Sequence, residues 1–252
     1  MLVDIHAHLD FEDFEKDRDE VIKRAHDAEV IAIINNGTSP ETNRKTIELS
    51  TKYHLIKPAL GLYPTEGIKL TDEELDKEFK YIENSKPVAL GEVGLDLKEL
   101  PDLKKQKEVF ERFIKLSNKL KIPLIVHSRK AEQEAFDCLV SSGAKLVNMH
   151  CFSGKLSLAK KIEDQGWYFS IPPNIVFSEH FQVLVKTISL SHLLTETDSP
   201  FLSNTKGSRN EPANVAFTVK KIAELKGLDP LETENNIFLN FSRLFKGIRV
   251  KA

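Results

Sequence analysis

LVDIHAHLD, residues 2–10, is an apolar run that ends in two histidines and an aspartate. The apolar part predicts a β-strand beginning near residue 2. Side chains on a strand alternate between faces, so His6 and His8 share a face with Leu2 and Asp4, while Val3, Ile5 and Ala7 take the other. Two imidazoles at a fixed separation suit a divalent metal, because the neutral ring is a good ligand. H-x-H is a short signal, and two solvated histidines at a strand end also fit it, so the rest of the chain has to decide. The stretch does bear on the fold. A doubly wound open sheet is expected to follow its first strand with a glycine-rich phosphate turn, and HAHLDF is not one.

Seven further apolar runs follow: EVIAIINNG (29–37), HLIKPALGLYP (54–64), KPVALGEVGLD (86–96), KIPLIVHSR (121–129), AKLVNMHCF (144–152), GWYFSIPPN (166–174) and HLLTETDSP (192–200). Each is followed by turn residues and a charged segment of helical period, a pattern of parallel strands with crossover helices. Helix starts are marked by Ser39-Pro40-Glu41, by the capping box Thr71 to Glu74, and by Asp229-Pro230 with Glu232. Phe110, Phe113, Ile114 and Leu120 form one helix face. In the last helix Ile237, Leu239, Phe241, Leu244 and Phe245 are expected to pack on the barrel. No linker or repeat divides the chain. Eight β/α units in 252 residues predict a single α/β unit over residues 1–252, a (β/α)8 TIM-type barrel.

Composition narrows the function classes. The chain is 40% hydrophobic and 29% charged with a net charge of −2. It therefore lacks the basic footprint of a protein that coats nucleic acid, and only a local positive patch can engage one. Cys138 and Cys151 are its two cysteines, too few for a disulfide framework, which fits a reducing, cytoplasmic setting. No signal peptide or membrane span is expected, because Asp4 and His6 interrupt the N-terminal apolar stretch.

In a barrel of this kind chemistry sits at the C-terminal ends of the strands. Those ends carry His6 and His8, Glu92 in GEVG, His127 and Arg129 in VHSR, His150 in NMHCFSG, and Asp198 in TETDSP. Singly, each has an ordinary explanation as a polar strand end, a cap or a surface ion pair. Together, four imidazoles and two carboxylates converge on one barrel mouth and form a fitting ligand set for two divalent cations. His26, His54, His180 and His192 fall elsewhere and read as surface histidines.

DIHAHLD, GEVGLD, VHSR, HCFSG, TETDSP and RNEPANV resemble, in order and spacing, the motifs of the TatD family of metal-dependent hydrolases, over residues 1 to about 245. The resemblance implies an amidohydrolase-like barrel, a two-metal centre and hydrolysis of DNA phosphodiesters from 3′ ends. It implies that His6, His8 and Asp198 hold one metal, that His127 and His150 hold a second, and that Glu92 bridges them. Asp198 would also take the proton of the attacking water. The implied cofactors are two divalent cations, zinc, magnesium or manganese, and the implied partner is single-stranded or frayed DNA. Asp4 and Glu196 share the faces of His6 and Asp198 and are expected either to orient ligands or to form buried ion pairs.

The chain also departs from the family pattern. GLYP places Tyr63 where the family usually has histidine in G-x-H-P, LKEL (97–100) lacks the usual aromatics, and SIPPN replaces a glycine-rich form. Tyrosine can donate a hydrogen bond but cannot carry positive charge. Tyr63, Arg129 and Arg209 are the expected substrate contacts. The arginines are chosen because guanidinium matches phosphate oxygens in a fork, and either could instead pair with a surface carboxylate. Two other readings stay open: hydrolysis of another bond, such as an aminoacyl-tRNA ester or a cyclic amide, and a non-catalytic metal-binding barrel.

Overall fold

The computed structural model describes residues 1–99 and 102–248. Of the LKEL stretch singled out above, Leu100 lies outside the described residues. The eight apolar runs form eight parallel strands, each hydrogen-bonded to the next in chain order. They are β1 (Leu2–Ala7), β2 (Val30–Asn36), β3 (Ile56–Leu60), β4 (Ala89–Asp96), β5 (Leu124–Arg129), β6 (Val147–His150), β7 (Tyr168–Ile171) and β8 (Leu193–Thr195). Helices α1 (Arg18–Asp27), α2 (Pro40–Lys52), α3 (Pro64–Gly67), α4 (Asp72–Ser85), α5 (Leu103–Leu120), α6 (Glu132–Ser141), α7 (Leu156–Asp164), α8 (Glu179–Thr187), α9 (Val215–Lys226) and α10 (Pro230–Leu244) connect and cover them.

The expected caps are present. The Ser39 side chain accepts from Thr42 N, Thr71 and Glu74 form a reciprocal capping box, and the Asp229 carboxylate accepts from Leu231 N and Glu232 N. Each supplies partners to amides that a helix start leaves open, which typically stabilises by about 1 kcal/mol. In α5, Phe110, Phe113 and Ile114 are buried against the barrel wall, and Leu120 is partly buried at its edge. In α10, Ile237, Phe241, Leu244 and Phe245 are buried, but Leu239 is 51% exposed. The helical turn carries Leu239 past the edge of the covered stripe, which corrects the expectation that it packs.

The seam between β8 and β1 is closed by a mixture of groups. Asp198 N donates to His6 O at 2.7 Å and His8 N donates to Ser199 O at 2.8 Å. Between these and the strand bottom, the Asp4 carboxylate accepts from Thr197 N (2.9 Å) and Thr197 Oγ1 (2.5 Å), and Thr195 Oγ1 donates to Val3 O (2.6 Å). A carboxylate fully out of water is costly unless hydrogen-bonded, and burial pushes Asp4 up to about 8 against these donors. Asp4 thus joins the first strand to the chain just after the last, and among the described residues its carboxylate bonds to backbone and hydroxyl donors, not to an imidazole nitrogen.

Candidate metal centre and active-site cavity

The C-terminal strand ends open into a cavity of about 840 Å³ lined by His8, Glu92, His127, His150 and Asp198 together with loop residues. His6 lies just beneath, fully buried. Four residues at this mouth, Lys130, Cys151, Asp198 and Leu202, have φ between 47° and 58°. This left-handed conformation is uncommon outside glycine and concentrates where a fold aims side chains at a site. Asp198 is held in it by its own amide on His6 O and by Phe201 N on its carbonyl at 2.8 Å.

The ring nitrogens can be assigned from their partners. His8 Nδ1 lies 2.9 Å from the Asn36 carbonyl, and His150 Nδ1 lies 2.7 Å from Glu196 Oε2. His127 Nε2 lies 3.0 Å from Asp96 Oδ2 and 3.1 Å from the Tyr63 hydroxyl, which itself donates to Asp96 Oδ2 at 2.6 Å. A carbonyl and an ionised carboxylate only accept, so these nitrogens carry the protons and the opposite ring nitrogens offer lone pairs. Those lone pairs converge on carboxylates. His8 Nε2 is 3.4 Å from Glu92 Oε2 and 3.5 Å from Asp198 Oδ1, His127 Nδ1 is 2.7 Å from Glu92 Oε1, and His150 Nε2 is 3.9 Å from Glu92 Oε1 and 4.0 Å from Asp198 Oδ1. His6 Nε2 joins them, 3.5 Å from both Glu92 Oε2 and Asp198 Oδ1 and 3.0 Å from His8 Nε2.

Acceptors facing acceptors in a buried space demand cations. The proton affinities express that demand. Burial opposes charge at His8, yet Asp198 and Glu92 raise it well above the usual imidazole value. Burial likewise opposes charge at His150, while Glu196 and Asp198 raise it to about 9. Glu92, despite full burial, is held well below the usual carboxylate range by His127, His6 and His8. His6 goes the other way, lowered by burial and by the nearby charge of His150, whose ring stacks on it at 3.7 Å between centroids, and its Nδ1 is buried with no hydrogen-bond partner among the described residues. Among the described residues, donor atoms of His6, His8 and Asp198 lie within 4.8 Å of one another, as do those of Glu92, His127 and His150. His150 also belongs to two further groups, with His6 and Glu196 and with Cys151 and Asp198. The donor set therefore fits divalent metal.

The two expected arginines part company. Arg129 lines the cavity, 41% exposed, with one 3.3 Å contact to Glu99. Arg209 does not line it. Its guanidinium forks onto Asp17 at 2.8 and 2.5 Å, donates to Asp13 O, and lies 4.8 Å over the Phe14 ring. The fork chosen for phosphate is already filled by a carboxylate, so the expectation that Arg209 reaches the site is corrected. Its neighbour Glu211 pairs with Arg24 at 2.6 Å, so this stretch fastens the loop after β8 to α1. Tyr63 lines the cavity, but its hydroxyl is spent on Asp96 and His127.

Of the two expected orienting acids, Glu196 holds His150 and also accepts from Cys151 N and Ser170 Oγ. Asp4 instead closes the seam. Asp96 and Asn36 escaped the sequence reading, although Asp96 shares strand parity with Glu92 and was the signal available. Asn35 was also missed; its amide accepts from Leu9 N at 2.6 Å and donates to Asp10 and Thr46, fixing the chain after β1. Phe11 stacks on His8 at 4.8 Å, and Phe201 is 52% exposed at the cavity wall. The glycines beside Glu92 serve the neighbouring strand. A Cβ on Gly94, where φ is +145°, would stand 1.9 Å from His127 O.

A parallel eight-stranded barrel with histidines and carboxylates gathered at its C-terminal mouth has the architecture of a metal-binding TIM-type barrel. The chain belongs to the family described as TatD-related DNase, whose model matches residues 3–246. It is 37% identical to an uncharacterised metal-dependent hydrolase of Methanocaldococcus jannaschii, covering 97% of this chain and 96% of that protein. It is 36% identical to human deoxyribonuclease TATDN3, covering 98% and 96%. A solved TatD homologue from Escherichia coli superposes with a TM-score of 0.91 at 28% identity, covering 98% of each chain.

Proposed function

We propose that this hydrolase cleaves phosphodiester bonds at the ends of single-stranded or frayed DNA, working from the 3′ terminus with two divalent cations. The observation that carries the reading is the convergence of imidazole lone pairs and carboxylates at the floor of a single open cavity. His6, His8 and Asp198 would hold one cation, His127 and His150 the other, with Glu92 between, since a carboxylate has two oxygens to share and an imidazole one lone pair. Bound cations would supply Lewis acidity and a water acidic enough to attack at neutral pH. Asp198 takes a proton from the attacking water and returns it to the leaving oxygen. Arg129 neutralises phosphate oxygens from the wall. Tyr63, its hydroxyl engaged, offers its ring, and Phe11 and Phe201 add apolar faces on which a base can stack.

End entry follows from depth. Side-chain exposure is 0% at His6, 3% at His8, 5% at Glu92 and His150, and 15% at Asp198. A duplex is too wide to lower an internal phosphate to that floor, whereas a frayed terminus fits. The free thiols Cys138 and Cys151 agree with a cytoplasmic setting, and among the described residues no helix is long and apolar enough to cross a membrane. The test is digestion of end-labelled single strands, blunt duplexes and closed circles with magnesium, manganese or zinc. The expected order is single strand, then duplex, with circles resistant. Equal cutting of circles overturns end entry. Tyr63, in place of the family's usual histidine, cannot carry positive charge toward a phosphate, so aminoacyl-tRNA belongs in the same panel. Its turnover without cleavage of DNA would replace the reading.

A further inference from the structure

A second cavity of about 600 Å³ adjoins the first and shares Arg129 and Ser153 with it. It lies between the chain after β5 and the start of α7. Its lining carries the cations Lys98, Arg129, Lys130, Lys155 and Lys161 against the acids Glu132 and Glu134, on a chain whose net charge is −2. Glu132 is engaged by Ser153 Oγ at 2.7 Å. Across the rest of the surface lysines are commonly neutralised, as Lys69 is by Glu66, Lys119 by Glu83 and Lys221 by Glu224. Among the described residues no ion pair is formed by Lys98, Lys130, Lys155 or Lys161. The first turn of α7 has no side-chain cap, and its opening residues, Lys155 and Ser157, line the groove, so open amides add to the positive potential.

We infer that this cationic groove holds the phosphates of the strand trailing behind the end being hydrolysed. The inference rests on the nucleic-acid reading above and deepens it: the substrate is a polynucleotide several residues long. The argument is one of position and valence. The first cavity contains a single lysine or arginine, Arg129, among its lining residues, so it can neutralise one phosphate by side-chain charge. The groove begins at that same arginine and continues with lysines, whose compact, mobile ammonium groups track a backbone without reading sequence. An acidic peptide would meet the same lysines, but it would have no reason to share an arginine with the reacting phosphate.

The test uses the full chain and the triple variant Lys130→Ala, Lys155→Ala, Lys161→Ala. Equilibrium binding of labelled di- and octadeoxynucleotides is measured in chelator, apart from catalysis, and hydrolysis of a small chromogenic phosphodiester is measured with metal. The native chain is expected to bind the octamer about tenfold more tightly than the dimer. The variant is expected to lose that gain, with a log–log salt slope shallower by about 2 for three single-strand phosphate contacts. Its turnover of the small phosphodiester should match that of the native chain. Length-independent binding by the native chain, an unchanged variant, or equal competition by polyglutamate overturns the groove. A groove that binds the octamer in a protein unable to cleave DNA leaves this inference standing and removes the proposed reaction.

Discussion

The four imidazoles of the centre are held in two ways. On the β4–β6 side each leans on a buried acid: His127 on Asp96, His150 on Glu196. On the β1–β8 side His8 leans on a neutral carbonyl, that of Asn36, and His6 Nδ1 has no hydrogen-bond partner among the described residues. An outer carboxylate fixes the tautomer and makes the ring a stronger donor, but it needs donors of its own. Asp96 has them in Tyr63, Lys98 N and Glu99 N, and Glu196 in Ser170 and Cys151 N. One half is built from a side-chain network. In the other, the residues that carry the rings are held to each other through the main chain, Asp198 N on His6 O and His8 N on Ser199 O, with the Asp4–Thr197 side-chain bonds lying below. Substitution of the acid behind a ring should therefore reach deeply into the first kind of support, whereas the second offers no such acid behind His8.

The largest effect should come where the halves meet. Glu92 faces imidazoles of both, so Glu92→Ala should release both cations and lower turnover by roughly 10⁴-fold or more, the upper end of what one acid–base group supplies. Elemental analysis alongside kinetics checks it, and retention of one full equivalent of metal would assign Glu92 to one half only. Asp198→Asn comes next. The amide keeps an oxygen for metal but cannot accept a proton, so turnover should fall by roughly 10²–10⁴-fold with metal content nearly intact. Near-normal turnover removes Asp198 as the base.

Glu196→Gln and Asp96→Asn sharpen the contrast itself. Each should weaken one cation by about 10–100-fold in titration with zinc or manganese, leaving the tighter site unchanged. Weakening of both cations alike would mean the halves are one network. The smallest effects separate the arginines. Arg129→Ala should raise the KM for oligonucleotides roughly tenfold with kcat little changed, whereas Arg209→Ala should leave KM alone and lower stability by at most about 1 kcal/mol, as expected for an exposed ion pair. A KM effect at Arg209 would return it to the substrate.

What the sequence reveals follows strand parity. His6, His8, Glu92, His127, His150 and Asp198 stand at the ends of apolar runs, and a barrel sends all such ends to one mouth, so their meeting is legible before any coordinates. Ring orientation is not. Asp96 lies two strand pairs of alternation beyond Glu92, and only the direction of the His127 ring shows that it holds a nitrogen. The Asn36 contact is made by a carbonyl, which every residue has, so no sequence signal marks it. Arg209 misleads for a different reason: its partner Asp17 lies 192 positions earlier, and nothing local announces which acid will arrive within reach. Leu239 shows the limit of helical periodicity at the margin of a buried stripe.

The seam has a consequence for biosynthesis. A nascent chain emerges N-terminus first, so His6 and His8 leave the ribosome long before the groups that fix them, which arrive with Thr195–Ser199. Until then β1 has a free edge, Asp4 lacks the Thr197 donors that satisfy it, and Asp198 does not exist to complete the proposed ligand set. A truncated or stalled polypeptide ending before β8 would carry histidines without the carboxylate proposed as the base. On the proposed site, competence to hydrolyse is withheld until the chain through Asp198 has been made, so copies stalled before that point lack the complete centre.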